Sequence, residues 1–265
     1  MTILITGGTG KTGSRLARRL LDVNYLVFLT SRKGVVPEPF KGVKFDWCDP
    51  STFENPFTVD PDMDRIYIVA PDGGCAGEVI EPMKPFIDLV VTKGRIAGGP
   101  SIGMVHEYLL SLQVDYAILR PSWFYGNCSP CLGTSNLLTM HLHDIKESNT
   151  IVTVSADGML GFVSADDIAD LAFEALTNAK SHNTDHILTG PELLSYDDIA
   201  HARISVEELK DRYIAFGLPE DFATLLSSMD ELNASGVEES IFGTPGKVTG
   251  RRMLRDFIEA NKDSF

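Results

Sequence analysis

Apolar residues in this chain gather into short unbroken runs, set between longer stretches where they recur every three or four positions. Ile3-Leu4-Ile5, Leu26-Val27-Phe28-Leu29 and Ile66-Tyr67-Ile68-Val69 are such runs, and a strand covered on both faces needs a continuous run rather than an alternation. They predict strands over Thr2–Thr6, Leu26–Leu29 and Arg65–Ala70, with further strands over Val43–Asp46, Asp115–Leu119 and Ile151–Ser155. The intervening segments predict helices over about 11–21, 79–91, 103–112 and 166–176, and a short helix after Pro50. Strands alternating with helices give an α/β chain with a doubly wound parallel sheet, Rossmann-like in plan. From Ser195, a plausible N-cap for 195–200, the chain turns helical and polar over 205–216, 219–228 and 253–261. The expected division is a nucleotide-binding domain over 1–180 and a small helical lobe over 181–265 that covers the substrate, the two forming one compact unit. Thr92–Pro100 breaks the alternation, because a strand is due there and almost no apolar residue is present. Either the sheet lacks a strand at this place or the chain lacks residues.

The first strand opens into Thr6-Gly7-Gly8-Thr9-Gly10-Lys11-Thr12-Gly13. Glycines at i, i+3 and i+6 between a strand and a helix make a cradle for a dinucleotide phosphate. Gly7 permits the tight turn, Gly10 lets backbone approach a pyrophosphate, and Gly13 lets helix pack closely on strand. The helix that follows points its free amides and positive dipole end at the phosphates. The second strand runs into Ser31-Arg32-Lys33, at the place where a site for NAD carries an acid. A guanidinium and an ammonium suit a 2′-phosphate instead, so NADPH is the expected cofactor. Asp46 and Trp47 close the third strand, where they either touch adenine or simply pack.

Composition narrows the partner more than the fold. The 265 residues carry a net charge of −14, which argues against nucleic acid, whose phosphates need a basic face. No run approaches the roughly 18 apolar residues of a membrane span, and no basic leader precedes the first strand. Cys48, Cys75, Cys128 and Cys131 make no disulfide framework in a chain of this length, so the expectation is a cytoplasmic protein. Cys128-Ser129-Pro130-Cys131 has no second pair at zinc-site spacing, so no metal is expected. No oligomeric state follows from the sequence.

Further segments point to a family. Thr6–Gly13 with Ser31-Arg32, Phe45-Asp46-Trp47, Leu119-Arg120-Pro121-Ser122-Trp123-Phe124, Phe162–Ala169 and Gly190–Asp197 together resemble the NmrA-like branch of atypical short-chain dehydrogenases, and within it the fungal clavine dehydrogenases. The resemblance covers most of 1–200 and, more loosely, 205–260. It implies NADPH-dependent reduction of a cyclic iminium, derived from chanoclavine-I aldehyde, to festuclavine or agroclavine. It also implies that Gly7, Gly10, Lys11, Thr12 and Gly13 hold phosphates, that Arg32 meets the 2′-phosphate, and that Val69, Ala70 and Pro71 line the cofactor. The family has a strand ending in Leu-Leu-Ser-Ala-Ser where this chain has Thr92–Pro100. NmrA-like proteins also include NADP-binding regulators, and the alternative reading is such a regulator or an inactive paralogue.

The proton chemistry is distinctive. Short-chain dehydrogenases commonly use Tyr-x-x-x-Lys to protonate a forming alkoxide, and none of the seven tyrosines here has lysine four residues on. A carbonyl reductase needs that stabilisation. An iminium already carries its positive charge and is neutralised by hydride, so positioning in a dry pocket suffices. His106 is the candidate to orient substrate or relay a proton, against a plain helix histidine. Trp123, Phe124 and Tyr125 leave the carboxyl end of a strand, where open α/β sheets bind ligands. They form either an aromatic wall for an indole cation or part of the core. Asp166 and Asp167 read as acids at a helix N-terminus.

Overall fold

The computed structural model describes residues 1–71, 80–93, 95–98, 103–125, 144, 147–148, 150–155, 157–196, 202–203 and 205–260. They fall into two compact units, Met1–Arg120 with Ile168–His186, and Pro121–Asp167 with Ile187–Phe265. The units interleave in sequence instead of dividing near residue 180. The reason is that three continuous elements, β6 (Ala117–Pro121), α5 (Ala165–Thr177) and β10 (Thr184–Thr189), run through the boundaries.

The first unit is the Rossmann-like part. In chain order it has β1 (Thr2–Ile5), α1 (Lys11–Asp22), β2 (Leu26–Ser31), β3 (Lys41–Lys44), α2 (Asn55–Val59), β4 (Arg65–Ile68), α3 (Ile80–Lys93), β5 (Arg95–Gly98) and α4 (Gly103–Ser111). A five-stranded sheet orders them β3-β2-β1-β4-β5, and every neighbouring pair is parallel. The order reverses between β1 and β4, where sheets of this class bind dinucleotides. Ile3, Leu4 and Ile5 are fully buried, as their continuous run requires. α1 buries Leu16, Ala17 and Leu20. On the Leu4 side of the sheet, Phe28, Ile66, Met83, Phe86 and Val90 form one core.

Two expectations are corrected here. A strand does follow α3: β5 pairs with β4 through Ile66↔Ile96 and Tyr67↔Ala97. It lies at the sheet's edge, and a four-residue ladder there is held by backbone groups, so it needs few apolar residues. The third strand lies at Lys41–Lys44, two residues before the expected Val43–Asp46. Gly42 lets the strand pass close to the preceding turn, since a Cβ there would stand 2.1 Å from the Gly34 carbonyl oxygen.

The second unit is built from short pieces. Its strands β7 (Phe124–Tyr125), β8 (Val152–Thr153), β9 (Val163–Ser164), β11 (Ala202–Arg203) and β12 (Val248–Thr249) span two residues each. β7 pairs with β9, β8 with β11, and β12 with the end of β10. The sequence reading missed β10, because Thr184 is exposed and Asp185 and His186 are half-buried, leaving little apolar signal. The helices are α6 (Val206–Ala215), α7 (Glu220–Ala234), α8 (Val237–Ile241) and α9 (Leu254–Ala260). Ser205 starts α6 with a full capping box: its hydroxyl accepts from the Glu208 amide while Glu208 accepts from the Ser205 amide. Of the helix expected over 195–200, residues 197–200 lie outside the described residues. No helix of the described residues is long and apolar enough to cross a membrane.

Candidate dinucleotide site

The cradle takes its shape from backbone. Gly7 sits at φ 65°, a conformation that favours glycine, and its carbonyl accepts from the Gly10 amide at 2.9 Å. A Cβ on Gly13 would lie 2.5 Å from the Gly7 oxygen, so helix and loop meet at a distance that excludes any side chain. α1 begins at Gly10 with no side-chain cap and no acid in its first turn. An anion placed there would meet the positive end of the helix without an acidic side chain to compete. Thr12 and Gly13 are buried and Lys11 is half-buried.

The loop after β4 is tied to this turn. The Val69 amide donates to Thr6 Oγ1 at 2.7 Å, and the Val69 side chain lies 3.1 Å from where a Gly7 Cβ would stand. Ala70 and Pro71 follow, both half-buried. β1 and β4 thus bring Gly7, Gly10, Gly13 and Val69 together at their carboxyl ends. These residues fit a dinucleotide: the groove is one that a Cβ would fill, and the helix amides above it are uncapped.

β2 ends in a turn closed by the Gly34 amide on the Ser31 carbonyl. Arg32 and Lys33 occupy its two central positions, exposed and without an ion pair to any described residue. Beside β3, Asp46 accepts from the Cys48 amide at 3.0 Å. Trp47 packs edge-on against Phe45 and Phe86, at 4.8 and 5.5 Å between ring centroids. It is a packing residue whose remaining surface is half-buried. Cys48 is disulfide-bonded, although no pairing was expected. The other cysteines, Cys75, Cys128 and Cys131, lie outside the described residues. Among the described residues no three metal-ligating side chains gather.

His106 is placed elsewhere. Its ring lies 6.1 Å from that of Tyr116, just before β6, at that strand's amino end. Its charge also reaches Asp185. Burial pushes the Asp185 carboxyl up, but Arg120, bonded to it at 2.9 Å, outweighs burial with help from His106 and holds it below its usual value. Among the described residues nothing joins His106 to the cradle.

In the second unit, Trp123 and Tyr125 belong to the core with Ile151, Leu160 and Phe162, and Phe124 is half-buried. The Tyr125 hydroxyl donates to the Arg252 carbonyl. Packing is therefore the role of Trp123 and Tyr125, and Phe124 alone of the three keeps a partly open face. Asp167 does more than front a helix. Its buried carboxylate accepts from the amides of Arg251 and Arg252, at 3.0 and 3.1 Å, and pairs with the Arg252 guanidinium.

Comparison with known proteins agrees with this geometry. Residues 3–92 match the NAD dependent epimerase/dehydratase family. The chain is 33% identical to agroclavine dehydrogenase of Claviceps fusiformis, covering 99% of this chain and 98% of that one. It is 36% identical to festuclavine synthase II of Penicillium roqueforti, covering 99% of each. Triphenylmethane reductase of Citrobacter sp., solved with NADP(H), shares the fold with a TM-score of 0.73 at 16% identity, over 98% of this chain and 99% of that one. The chain belongs to the NmrA-like, epimerase-related short-chain dehydrogenases, an NAD(P)-dependent oxidoreductase family that includes the agroclavine and festuclavine dehydrogenases.

Proposed function

We propose that this chain is an NADPH-dependent reductase of a cyclic iminium in a clavine-type indole alkaloid. The observation that carries the cofactor is the Ser31–Gly34 turn, which presents Arg32 and Lys33 at the carboxyl end of β2 without an ion pair among the described residues. A 2′-phosphate there gains a bidentate guanidinium contact that NADH cannot make. The substrate follows from the full-length relatives named for agroclavine and festuclavine, and from the lack of Tyr-x-x-x-Lys.

When bound in the cradle, NADPH would supply a hydride to the iminium carbon. Such a transfer would move the C=N electron pair to nitrogen and give a neutral amine, so no protein group would have to donate a proton in that step. Gly7, Gly10, Gly13 and the first amides of α1 would hold the pyrophosphate, with Val69 tied to the same turn through Thr6.

Fluorescence titration with NADPH, followed by turnover of chanoclavine-I aldehyde with reduced glutathione present, tests the reading. Saturable NADPH binding and a clavine product support it. Binding without product points to a regulator and overturns the enzymatic reading, and a flat titration overturns both. Arg32→Ala should weaken NADPH by roughly tenfold or more and leave NADH nearly unchanged. Equal loss for the two refutes the cofactor assignment.

A further inference from the structure

Two histidines of the first unit meet at their nitrogens. His182 Nδ1 lies 2.8 Å from His186 Nε2, with the rings edge to face and their centres 4.9 Å apart. No helix pairs them: His182 precedes β10 and His186 lies within it. Between them the chain turns at Asn183, whose φ is 47°. That turn is pinned to one residue. The Asn183 amide and the Ser181 hydroxyl both donate to the Tyr116 carbonyl at 2.8 Å, and Asn183 Oδ1 accepts from the Tyr116 amide at 3.0 Å. Both sequence neighbours of His182 are thus anchored, and its ring is presented from a fixed backbone.

Both rings are half-buried. On the other side of His182, Nε2 meets the side-chain amide of Asn178, just after α5, at 2.8 Å. Glu174 lies one helical turn before Asn178, exposed, and its charge acts on His186 as that of Asp185 does. Burial holds the His186 imidazole below its usual value, and the His182 ring adds to that, while Asp185 and Glu174 oppose it. His186 is therefore neutral at pH 7, as a metal ligand must be.

The spacing of the rings suits a shared metal. With metal–nitrogen bonds of about 2.0–2.1 Å, two imidazoles on one ion stand about 4.5 Å apart, centre to centre, at a right angle between the bonds and about 5.2 Å apart at the tetrahedral angle. The observed 4.9 Å falls between these. A tilt of each ring turns both lone pairs to one point, with the nitrogens parting to about 2.9–3.4 Å. The Asn178 amide, turned to present its oxygen, then accepts the Nε2–H of His182, the outer-shell bond that orients a ligating histidine. No third ligating side chain gathers among the described residues, so the remaining positions are open to water.

We propose that His182 and His186 are the two protein ligands of a site for a borderline divalent metal ion, zinc or copper(II), which fastens the end of α5 to the start of β10. Imidazole suits both ions, and the nearby carboxylates of Glu174 and Asp185 favour a cation there.

Titration calorimetry of the full chain, freed of metal with a chelator, tests this with zinc chloride and separately with copper(II) sulfate at pH 7.5. Wild type should bind saturably. His182→Gln and His186→Gln should each weaken binding by about tenfold or more. Glu174→Gln, which removes only a neighbouring charge, should cost less than either. Zinc should also raise the melting temperature of wild type and leave that of both glutamine variants unmoved. Absence of binding with both metals overturns the proposal, and so does an isotherm that both histidine variants leave unchanged. A loss in only one of the two marks a single-histidine contact and overturns it as well. A Glu174→Gln loss larger than both places the metal on carboxylates instead. If one histidine variant fails to fold, the isotherm and melting temperature of the other decide.

Discussion

The two units solve burial differently. The first fills its interior with apolar runs, and its buried threonine at position 6 is satisfied by the backbone of Tyr67 and Val69. The second, whose strands are two residues long, places carboxylates inside: Asp167 and Asp230 are 6% and 1% exposed. Short strands leave many backbone groups without ladder partners. Carboxylates that accept several N–H or O–H groups each can fill that gap, provided every charge is met. A nucleotide cradle gains from the first solution, because it depends on backbone held to a few tenths of an ångström.

The largest expected effect breaks the comparison from the second unit's side. Asp167→Ala removes the acceptor for two backbone amides and strands Arg252, so it should cost about 3 kcal/mol or more in chemical denaturation. A loss under about 1 kcal/mol would mean that apolar packing holds the second unit too. Next in size is Gly13→Ala in the first unit. The added methyl meets the Gly7 oxygen and should weaken NADPH on the order of a hundredfold in a fluorescence titration. Near-wild-type binding would mean that the cradle tolerates a displacement its geometry forbids.

The same contrast explains what the sequence made legible. Unbroken apolar runs and Gly7, Gly10 and Gly13 carry a local physical signature, so the first sheet and the tight turn between β1 and α1 could be read directly. β5 could not, because an edge ladder is held by N–H and C=O groups that every residue owns. β10 hid because its first half is polar. Trp123 and Tyr125 were open between wall and core, since a strand's carboxyl end serves both and only three-dimensional packing separates them. The Ser122–Glu238 and Asp167–Arg252 contacts join residues 116 and 85 positions apart, and no periodicity announces such pairs. A buried carboxylate shows itself only once the helix is seen whole: Asp230 lies on the stripe Ala223, Leu226, Ser227, Asp230, Asn233 of α7, beyond the expected helix over 219–228.

Asp230 gives the smallest and most discriminating test. Its carboxylate accepts from the hydroxyls of Thr153 and Ser155 at 3.0 Å each. Burial pushes it up to about 6, and those two bonds only partly oppose the rise. An unfolded aspartate titrates near 3.9. Between about pH 4 and pH 6 the folded chain therefore holds a proton that the unfolded chain has released. The contribution of Asp230 to stability falls through that window as pH rises. Asp230→Asn keeps an acceptor for one hydroxyl and a donor for the other, and it never ionises. Its stability relative to wild type should climb by roughly 1–3 kcal/mol from pH 4 to pH 7, crossing from a small loss toward parity or gain. Urea denaturation of both proteins at several pH values measures the difference directly and cancels the titration of every other carboxylate. A difference that stays flat with pH would show that Asp230 is as well paired as Asp167, and the second unit would then hold its charges without penalty.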